Sequence, residues 1–396
     1  MEYEFSERVK GLKPSAIREI LKNSSAPGVI PLSAGNPAPD AFPYEDIRRI
    51  SAELLESTPI EALQYSVTEG YLPLREHLLS YMREKHGAGG ENDEILITSG
   101  AQQVMDLLTK TLLNEGDTVL CEAPSFIGSL NTFRSYRAKL RGIPMEEDGL
   151  SLEQLENALR QEKKIKYLYT IPNFQNPSGI TMSLAKRKRV YELCRDHNVL
   201  ILEDNPYGDL RFAGEELPPI KSFDREGVVL YAGSFSKVVS PGMRVGYAIG
   251  PREIVQKMVV CKQGEDVHSN IWAQIVCHRF MTECDYEAHL CRLREIYRRK
   301  SQVLRNAMEQ YFRPLITWSE FQGGLFAWCT LPERVDMLDF VKRAAEEKVC
   351  VVPGTAFLTD ETEPCRSFRV NFSTPTDEQL TEGIKLLGSL AGKMAE

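Results

Sequence analysis

The sequence lacks any apolar stretch that could hold the chain in a membrane or carry it across one. No run of about 18 apolar residues occurs, and the first residues, MEYEFSERVKGLK, lack the apolar core of a secretory signal. The nine cysteines include no CxxC pair, and no histidine cluster lies near them at metal-ligand spacing. We therefore expect a cytoplasmic protein with reduced cysteines and no bound metal.

The chain also lacks an excess of positive charge. The chain has 48 Lys and Arg against 56 Asp and Glu, and the net charge of -8 argues against a general nucleic-acid binder. The basic run KRKR at 186–189 lies in a predicted amphipathic helix, and we interpret it as a solvent-exposed helix face. Neither the GxGxxG fingerprint nor the P-loop GxxxxGK[ST] occurs, which argues against a nicotinamide-dependent dehydrogenase and an NTPase.

Short apolar runs alternate with helical patterns through residues 46–287. Strands are predicted at DEILITSG, DTVLCEAP, KIKYLYTIP, VLILEDNPY and VVLYAGSFS. One intervening helix is expected to begin at a capping box of Ser151 and Gln154. The alternation predicts a three-layer α/β large domain, with a mostly parallel sheet between helices. Residues 1–45 and 288–396 are predicted to form a smaller α+β domain around a long charged helix.

The residues after the predicted strands form the candidate site, because ligands bind beyond the carboxyl ends of the strands in an open parallel sheet. These ends carry an anion-binding strand–helix turn, an aromatic ring, an amide, a carboxylate with a tyrosine, and a lysine. In chain order they are Ser99, Gly100, Ala101 and Gln102; Phe126; Asn176; Asp204 and Tyr207; and Lys237. Taken singly, most have a plainer explanation, such as core packing for the phenylalanine or a turn for the asparagine.

Pyridoxal 5'-phosphate is one small molecule that requires all of these groups. Its aldehyde needs a lysine for a Schiff base, and its pyridine nitrogen needs a carboxylate to stay protonated. Its ring stacks on an aromatic face, and its phosphate binds hydroxyls, amide N–H groups and an arginine. The segment GSFSKVVSPGMRVG at 233–246 places Lys237 and Arg244 among serines and glycines. The sequence therefore predicts this cofactor.

The motifs LQYSVTEGYLPLR, SGAQQ, EAPSF, FQNPSG, EDNPY and GSFSKVVSPGMRVG resemble those of the fold-type I pyridoxal-phosphate aminotransferases of class I/II. Within that class the chain is most similar to the branch with 2-aminoadipate and kynurenine aminotransferases, over about residues 14–375. The resemblance implies ping-pong transfer of an amino group from a 2-aminoadipate-like, aromatic or branched-chain amino acid to a 2-oxo acid, with 2-oxoglutarate expected. It also implies a homodimer with shared active sites.

The same resemblance assigns a role to each site residue. Lys237 forms the aldimine and shuttles the proton, and Asp204 pairs with the pyridine nitrogen. Tyr207 and Asn176 bond the phenolic oxygen, and Phe126 stacks on the ring. The phosphate is assigned to Ser99, Gly100, Ala101, Gln102, Ser234, Ser236 and Arg244, with Tyr65 reaching the partner subunit's phosphate. The substrate is assigned to Arg369 for the α-carboxylate, together with Gly35, Asn176 and, for a distal carboxylate, Arg18.

Three positions depart from the family pattern. Ala101 stands where many relatives have a serine, so one phosphate hydroxyl is missing. Phe126 replaces a tyrosine, so the ring stacks but donates no hydrogen bond. Asn36 in GNPAP puts a polar residue near the expected substrate pocket. Two residues have an alternative interpretation without a function. His268 is either near the active site or a structural histidine, and Arg18 either binds a distal carboxylate or is a solvated helix residue.

Two other functions stay open from the sequence. A carbon–sulfur β-lyase on this fold would use the same lysine and cofactor, and would release pyruvate and ammonia from cystathionine without an oxo acid. A transcription regulator with an aminotransferase-like domain would carry a winged helix-turn-helix ahead of the match. We do not expect such a module, because only MEYEFSERVKGLK precedes the match and the chain is acidic.

Overall fold

The computed structural model describes residues 3–10 and 27–396 and contains a central sheet of eight strands. The strands are β1 (Asp93–Thr98), β2 (Thr118–Ala123), β3 (Lys139–Glu146), β4 (Gly149–Leu150), β5 (Ile165–Thr170), β6 (Leu200–Asp204), β7 (Val229–Ser234) and β8 (Gly246–Pro251). Their order is β1-β8-β7-β6-β5-β2-β3-β4. The five strands from β7 to β3 in this order are parallel, whereas β8 runs antiparallel to both neighbours and β4 to β3. The predicted mostly parallel α/β sheet is confirmed.

Helices pack on both faces of this sheet. The helices described up to residue 283 are α1 (Glu7–Lys10), which is exposed, α2 (Tyr44–Ser57), α3 (Pro59–Leu63), α4 (Leu72–His86), α5 (Ala101–Leu112), α6 (Ile127–Ser135), α7 (Leu152–Gln161), α8 (Leu184–Asp196), α9 (Arg252–Gln263) and α10 (Ile271–Glu283). Side chains alternate between the two faces of a strand. In β5, Tyr167 and Tyr169 therefore join one hydrophobic core while Leu168 joins the other. Burial on both faces explains the unbroken apolar runs of the central strands.

A second, antiparallel sheet of four strands follows a long helix. Its elements are α11 (Tyr286–Tyr311), β9 (Thr317–Trp318), β10 (Phe326–Thr330), α12 (Met337–Glu346), β11 (Val352–Pro353), β12 (Ser367–Asn371) and α13 (Asp377–Ala395), with strand order β11-β12-β10-β9. Ile30 bridges to Val349, so the N-terminal segment contacts this part of the chain. The domain boundaries at residues 45/46 and 287/288 stay a prediction.

Two local predictions fail. Ser151 precedes α7, but its side chain makes no cap hydrogen bond, and a complete capping box is instead formed at α13 by Thr376 and Gln379. Only half of the run at 186–189 faces solvent, because Lys186 and Arg187 are buried whereas Lys188 and Arg189 are exposed. Four consecutive helical residues point in four directions, so a basic run cannot all face solvent on a helix that packs against a sheet.

The helices and the cysteines can be compared with the sequence expectations about membrane spans and thiols. None of the helices in residues 3–10 and 27–396 is both long and apolar enough to cross a membrane. All nine cysteines have free thiols, and five of them are buried. Buried thiols of this kind behave as small apolar side chains.

Candidate active site

A cavity of about 430 Å³ opens beyond the carboxyl ends of the parallel strands. The large sheet contributes residues that follow β1, β2, β5, β6 and β7, and the small sheet contributes Phe326 and Arg369. Most of the residues predicted from the sequence line this cavity. They are Gly35, Asn36, Ala101, Gln102, Phe126, Asn176, Asp204, Tyr207, Ser234, Ser236, Lys237, Arg244 and Arg369. Residues from distant parts of the sequence thus meet at one sheet edge, as the strand-end argument predicted.

The other predicted residues lie elsewhere or next to the cavity. The Ser99 hydroxyl donates to the Asp266 carboxylate at 3.1 Å and lies 3.2 Å from the Ser269 hydroxyl, so it is engaged outside the lining. Tyr65 is 82% exposed, and its ring meets His268 edge-on. Arg18 lies outside the described residues.

Lys237 is the nucleophile candidate and directly follows a turn, residues 234–236, at the end of β7. The backbone N–H of Ser236 donates to the Ser234 hydroxyl and tightens this turn. The Lys237 amine donates to the carbonyl oxygen of Gly35 at 2.7 Å. Burial, together with the nearby cations of Arg369 and Arg244, lowers the pKa of Lys237 to about 8. A lysine in this environment is partly neutral near neutral pH, which is the form that attacks a carbonyl.

Asp204 ends β6 and is buried. Its Oδ2 accepts a hydrogen bond from the Tyr169 hydroxyl at 2.8 Å, whereas its Oδ1 has no partner among the described residues. Burial raises the pKa of Asp204 to about 7, and the Tyr169 hydrogen bond opposes that rise. A buried carboxylate oxygen without a donor is costly, so the cavity is complementary to a cationic N–H group at this oxygen.

An anion cradle lies where β1 meets α5. Gly100 has φ +81° and ψ 167°, a conformation that essentially only glycine adopts. A Cβ at Gly100 would clash with Nη2 of Arg244. Arg244 donates to the carbonyl oxygens of Ser99 and Pro241, which aims its guanidinium at the N-terminus of α5. The helix dipole, free N–H groups and a guanidinium together suit a phosphate.

Arg369 places a second cation in the cavity. One Nη donates to Oδ1 of Asn176 at 2.8 Å, and the other donates to the carbonyl oxygen of Ser33 at 2.9 Å. The guanidinium lies 4.1 Å from the ring centroid of Phe326, and Nε has no partner among the described residues. Burial lowers its pKa to about 10, so it stays protonated at neutral pH. A buried guanidinium with a free donor is suited to a carboxylate.

The family model described as "Aminotransferase class I and II" matches residues 27–387. The chain belongs to the class I and II aminotransferases. This finding confirms the family predicted from the motifs, and it covers both sheets and every lining residue of the cavity.

Relatives and solved structures agree with this membership. Aromatic-amino-acid aminotransferase 1 of Thermococcus litoralis is 37% identical over 98% of this chain and 94% of its own length. The 2-aminoadipate transaminase of Thermus thermophilus is 36% identical over 97% of this chain and 96% of its own length. A crystal structure of Pyrococcus horikoshii kynurenine aminotransferase has a TM-score of 0.95 at 36% identity and covers 99% of this chain and 98% of that chain. The β-lyase alternative is not favoured.

This aminotransferase uses pyridoxal 5'-phosphate, since the Pyrococcus horikoshii structure contains PMP, the amine form of that cofactor. The residues present fit the cofactor. The free oxygen of Asp204 suits the pyridine N–H, and the cradle at Gly100 and Arg244 suits the phosphate. The Lys237 amine, whose lowered pKa favours the neutral form, suits the aldehyde.

Sequence reasoning missed several residues of the aminotransferase cavity region, four of which are polar or aromatic. Tyr169 lies in an apolar strand, where nothing in the pattern separates it from Tyr167. Phe326 lies in the small sheet beneath Arg369 and reads as core. Ser33 and Ser129 are buried serines of the lining, and no motif points to either. Their positions depend on tertiary packing rather than on a local signal.

Proposed function

We propose that this aminotransferase moves the amino group of a 2-aminoadipate-like, aromatic or branched-chain amino acid to 2-oxoglutarate. The observation that carries the proposal is the convergence of Lys237, Asp204 and Arg369 on one cavity. The Lys237 amine and the free Oδ1 of Asp204 would interact with the cofactor, and the free Nε–H of Arg369 would bind the substrate. The relatives named for aromatic amino acids and 2-aminoadipate support the donor classes.

In the proposed reaction, Arg369 binds the α-carboxylate of the amino acid through its guanidinium. When bound, pyridoxal 5'-phosphate supplies an aldehyde and an electron-withdrawing protonated ring. Asp204 holds the proton on the ring nitrogen through its free Oδ1. Lys237 Nζ would take the proton from the Cα of the amino acid and deliver it to the carbon of the cofactor that carried the aldehyde, and it would move a proton in the reverse direction in the second half-reaction.

The remaining lining residues orient the cofactor. The Asn176 amide lies 3.4 Å from the Tyr207 hydroxyl, so the two groups together suit the phenolic oxygen. Phe126 would stack on the ring. The phosphate would be held by Arg244, Ser234 and Ser236 and by the backbone N–H groups of Ala101 and Gln102, since the N–H of Gly100 donates to the carbonyl oxygen of Thr98. Because Ala101 has no hydroxyl and that of Ser99 is bonded to Asp266, backbone donors carry more of this contact.

The cavity lining supports a range of donors. Ile127 and Phe326 offer apolar surface, while Asn36 and Ser33 offer polar groups at the same cavity. We propose that Gly35, whose carbonyl oxygen accepts from Lys237, borders the substrate position. The role of Arg18 toward a distal carboxylate stays a prediction.

We propose that the aminotransferase forms a homodimer. Segment 55–72 exposes six large apolar side chains, namely those of Leu55, Ile60, Leu63, Tyr65, Val67 and Leu72. A concentration of exposed apolar side chains in one segment is a common sign of a protein interface. Tyr65 lies within this segment, which supports its predicted reach to the partner subunit's phosphate.

The free thiols support a reducing, cytoplasmic location.

A spectrum and a donor screen test the function. We expect purified protein to be yellow, to lose this absorption on borohydride treatment, and to lack it in Lys237→Ala. The exposed Lys257→Ala is the matched control and should keep the absorption. When 2-oxoglutarate is the acceptor, glutamate should form with 2-aminoadipate, phenylalanine or leucine as the amino donor. A yellow protein that forms no glutamate with any amino donor would contradict the proposed reaction.

A further inference from the structure

Tyr169 is a fully buried tyrosine whose hydroxyl points at the cavity carboxylate. It lies on β5, next to β6, and its hydroxyl donates to Oδ2 of Asp204 at 2.8 Å. Its ring packs edge-to-face on Phe133, with 5.4 Å between centroids. The ring is therefore held by the core, so the direction of the O–H group is fixed by packing.

This hydrogen bond acts on the orientation of the Asp204 carboxylate. The terminal torsion of an aspartate is broad, so a carboxylate needs an external contact to hold one orientation. Tyr169 engages Oδ2, and Oδ1 is left free in the cavity. A hydroxyl donor to a carboxylate also favours the ionised form, which burial disfavours. Both effects favour a charged oxygen that faces the ring nitrogen.

We propose that Tyr169 is the positioning residue of Asp204, holding its carboxylate ionised and turned so that Oδ1 meets the pyridine nitrogen of the cofactor. This inference rests on the proposed role of Asp204 and extends it to a residue that does not itself line the cavity. Tyr169 touches neither cofactor nor substrate. It acts only through Asp204.

Tyr167 provides a matched control on the same strand. It is also fully buried, and it also packs edge-to-face on Phe133, at 5.6 Å. Its hydroxyl makes one side-chain hydrogen bond, 2.8 Å to Thr109, which lies in α5 away from Asp204. Tyr167→Phe and Tyr169→Phe therefore remove one buried hydroxyl each from the same core. Only the second removes a contact to the carboxylate.

The test measures binding of two cofactors to the apoenzyme. One is pyridoxal 5'-phosphate, and the other is its 1-deaza analogue, in which carbon replaces the ring nitrogen. We expect Tyr169→Phe to weaken pyridoxal 5'-phosphate binding about tenfold or more, because a hydrogen bond to a charged group is lost. Binding of the analogue should change less than about twofold, since it has no ring nitrogen for Asp204 to meet. Tyr167→Phe should leave both affinities within about twofold.

Two results would overturn the proposal. One is an equal loss of affinity for the cofactor and the analogue in Tyr169→Phe, and the other is an equal loss in Tyr167→Phe and Tyr169→Phe. If Tyr169→Phe does not fold, 3-fluorotyrosine at position 169 keeps the ring and makes a stronger donor. It should then tighten pyridoxal 5'-phosphate binding but not analogue binding, and a change in neither would refute the proposal. Because the readout is binding, a wild-type protein without transaminase activity would refute the proposed function separately.

Discussion

At the scale of single residues, three buried ionisable groups share one cavity, and burial acts against the charged form of each. It lowers the pKa of Lys237 and of Arg369 and raises that of Asp204. A cofactor with a cationic ring nitrogen and a substrate with a carboxylate would compensate two of these groups. The site is thus built to be complemented by its ligands rather than by the protein itself.

The free donor of Arg369 leads to a prediction about substrate binding. Arg369→Lys keeps the charge but loses the planar fork, so kcat/KM for the amino donor should fall about a hundredfold, mainly through KM. Arg366→Lys is the control, because that arginine is about half exposed, with 49% of its side chain accessible. It should change kcat/KM by less than about twofold. Steady-state kinetics at saturating 2-oxoglutarate would measure both, and equal effects would contradict the assignment.

The lowered pKa of Lys237 predicts how cofactor capture depends on pH. The amine must be neutral to attack the aldehyde, and its pKa in the folded protein is about 8 instead of 10.5. Covalent capture of pyridoxal 5'-phosphate by the apoenzyme should therefore accelerate as pH rises and level off above about pH 8. Stopped-flow absorption over a pH series would show this. If the rate still rises toward pH 10, burial and the two arginines do not lower the pKa of the Lys237 amine.

Some of the site's residues carry a local signal and others do not. Lys237 and Arg244 could be predicted because they occur at fixed spacing in a segment rich in serine and glycine. Tyr169 could not, because a tyrosine in an apolar strand has the same pattern whether its hydroxyl meets Asp204 or Thr109. The direction of that hydroxyl is fixed by neighbouring strands, which a single sequence does not show.

At the scale of elements, the turn between β1 and α5 depends on the absence of a side chain. We expect Gly100→Ala to displace the Arg244 guanidinium and to weaken pyridoxal 5'-phosphate binding about tenfold, as a charge-assisted phosphate contact is lost. Gly116→Ala is the control, because Gly116 has the same φ of +81° and nothing lies within 4 Å of its added Cβ. Equilibrium titration of both apoenzymes would measure the difference. Equal losses would show that backbone strain, not the arginine, is responsible.

The elements also show where sequence patterns are insufficient. Apolar runs correctly predicted the central parallel strands, because burial on both faces leaves a clear pattern. The same runs did not reveal that β8 is antiparallel, since strand direction depends on the connecting turn. The helix α8 was predicted, but Arg187 donates to three backbone carbonyl oxygens and to Asn173 in the interior. Charge alone does not indicate which residue of a helix faces the core.

At the scale of the whole molecule, the site is assembled from two sheets that are far apart in the sequence. Arg369, on β12, contacts Asn176, which follows β5, at 2.8 Å. The motif resemblance predicted both residues, yet neither local pattern contains the contact between them. The residue proposed to bind the substrate carboxylate and a residue proposed to orient the cofactor are therefore joined by one hydrogen bond between the sheets. A shift of the small sheet would alter both together.

The exposed apolar segment leads to a prediction about assembly. Ile60 and Leu63 are each 72% exposed on the short helix α3. The double substitution Ile60→Asp with Leu63→Asp places charges in the proposed interface, so it should convert a dimer to a monomer in sedimentation analysis. Cofactor affinity should fall about tenfold with it, since Tyr65 of the partner subunit would no longer reach the phosphate.

Leu338→Asp is the matched control for this prediction, because Leu338 is also an exposed leucine, 56% accessible, but lies on α12 near the small sheet. It should leave both the dimer and the affinity unchanged. A wild-type protein that sediments as a monomer at micromolar concentration would contradict the dimer. If the double variant is monomeric but binds the cofactor with full affinity, the proposed dimer interface is supported and the proposed contact of Tyr65 with the phosphate is contradicted. The two measurements therefore separate assembly from the sharing of active sites.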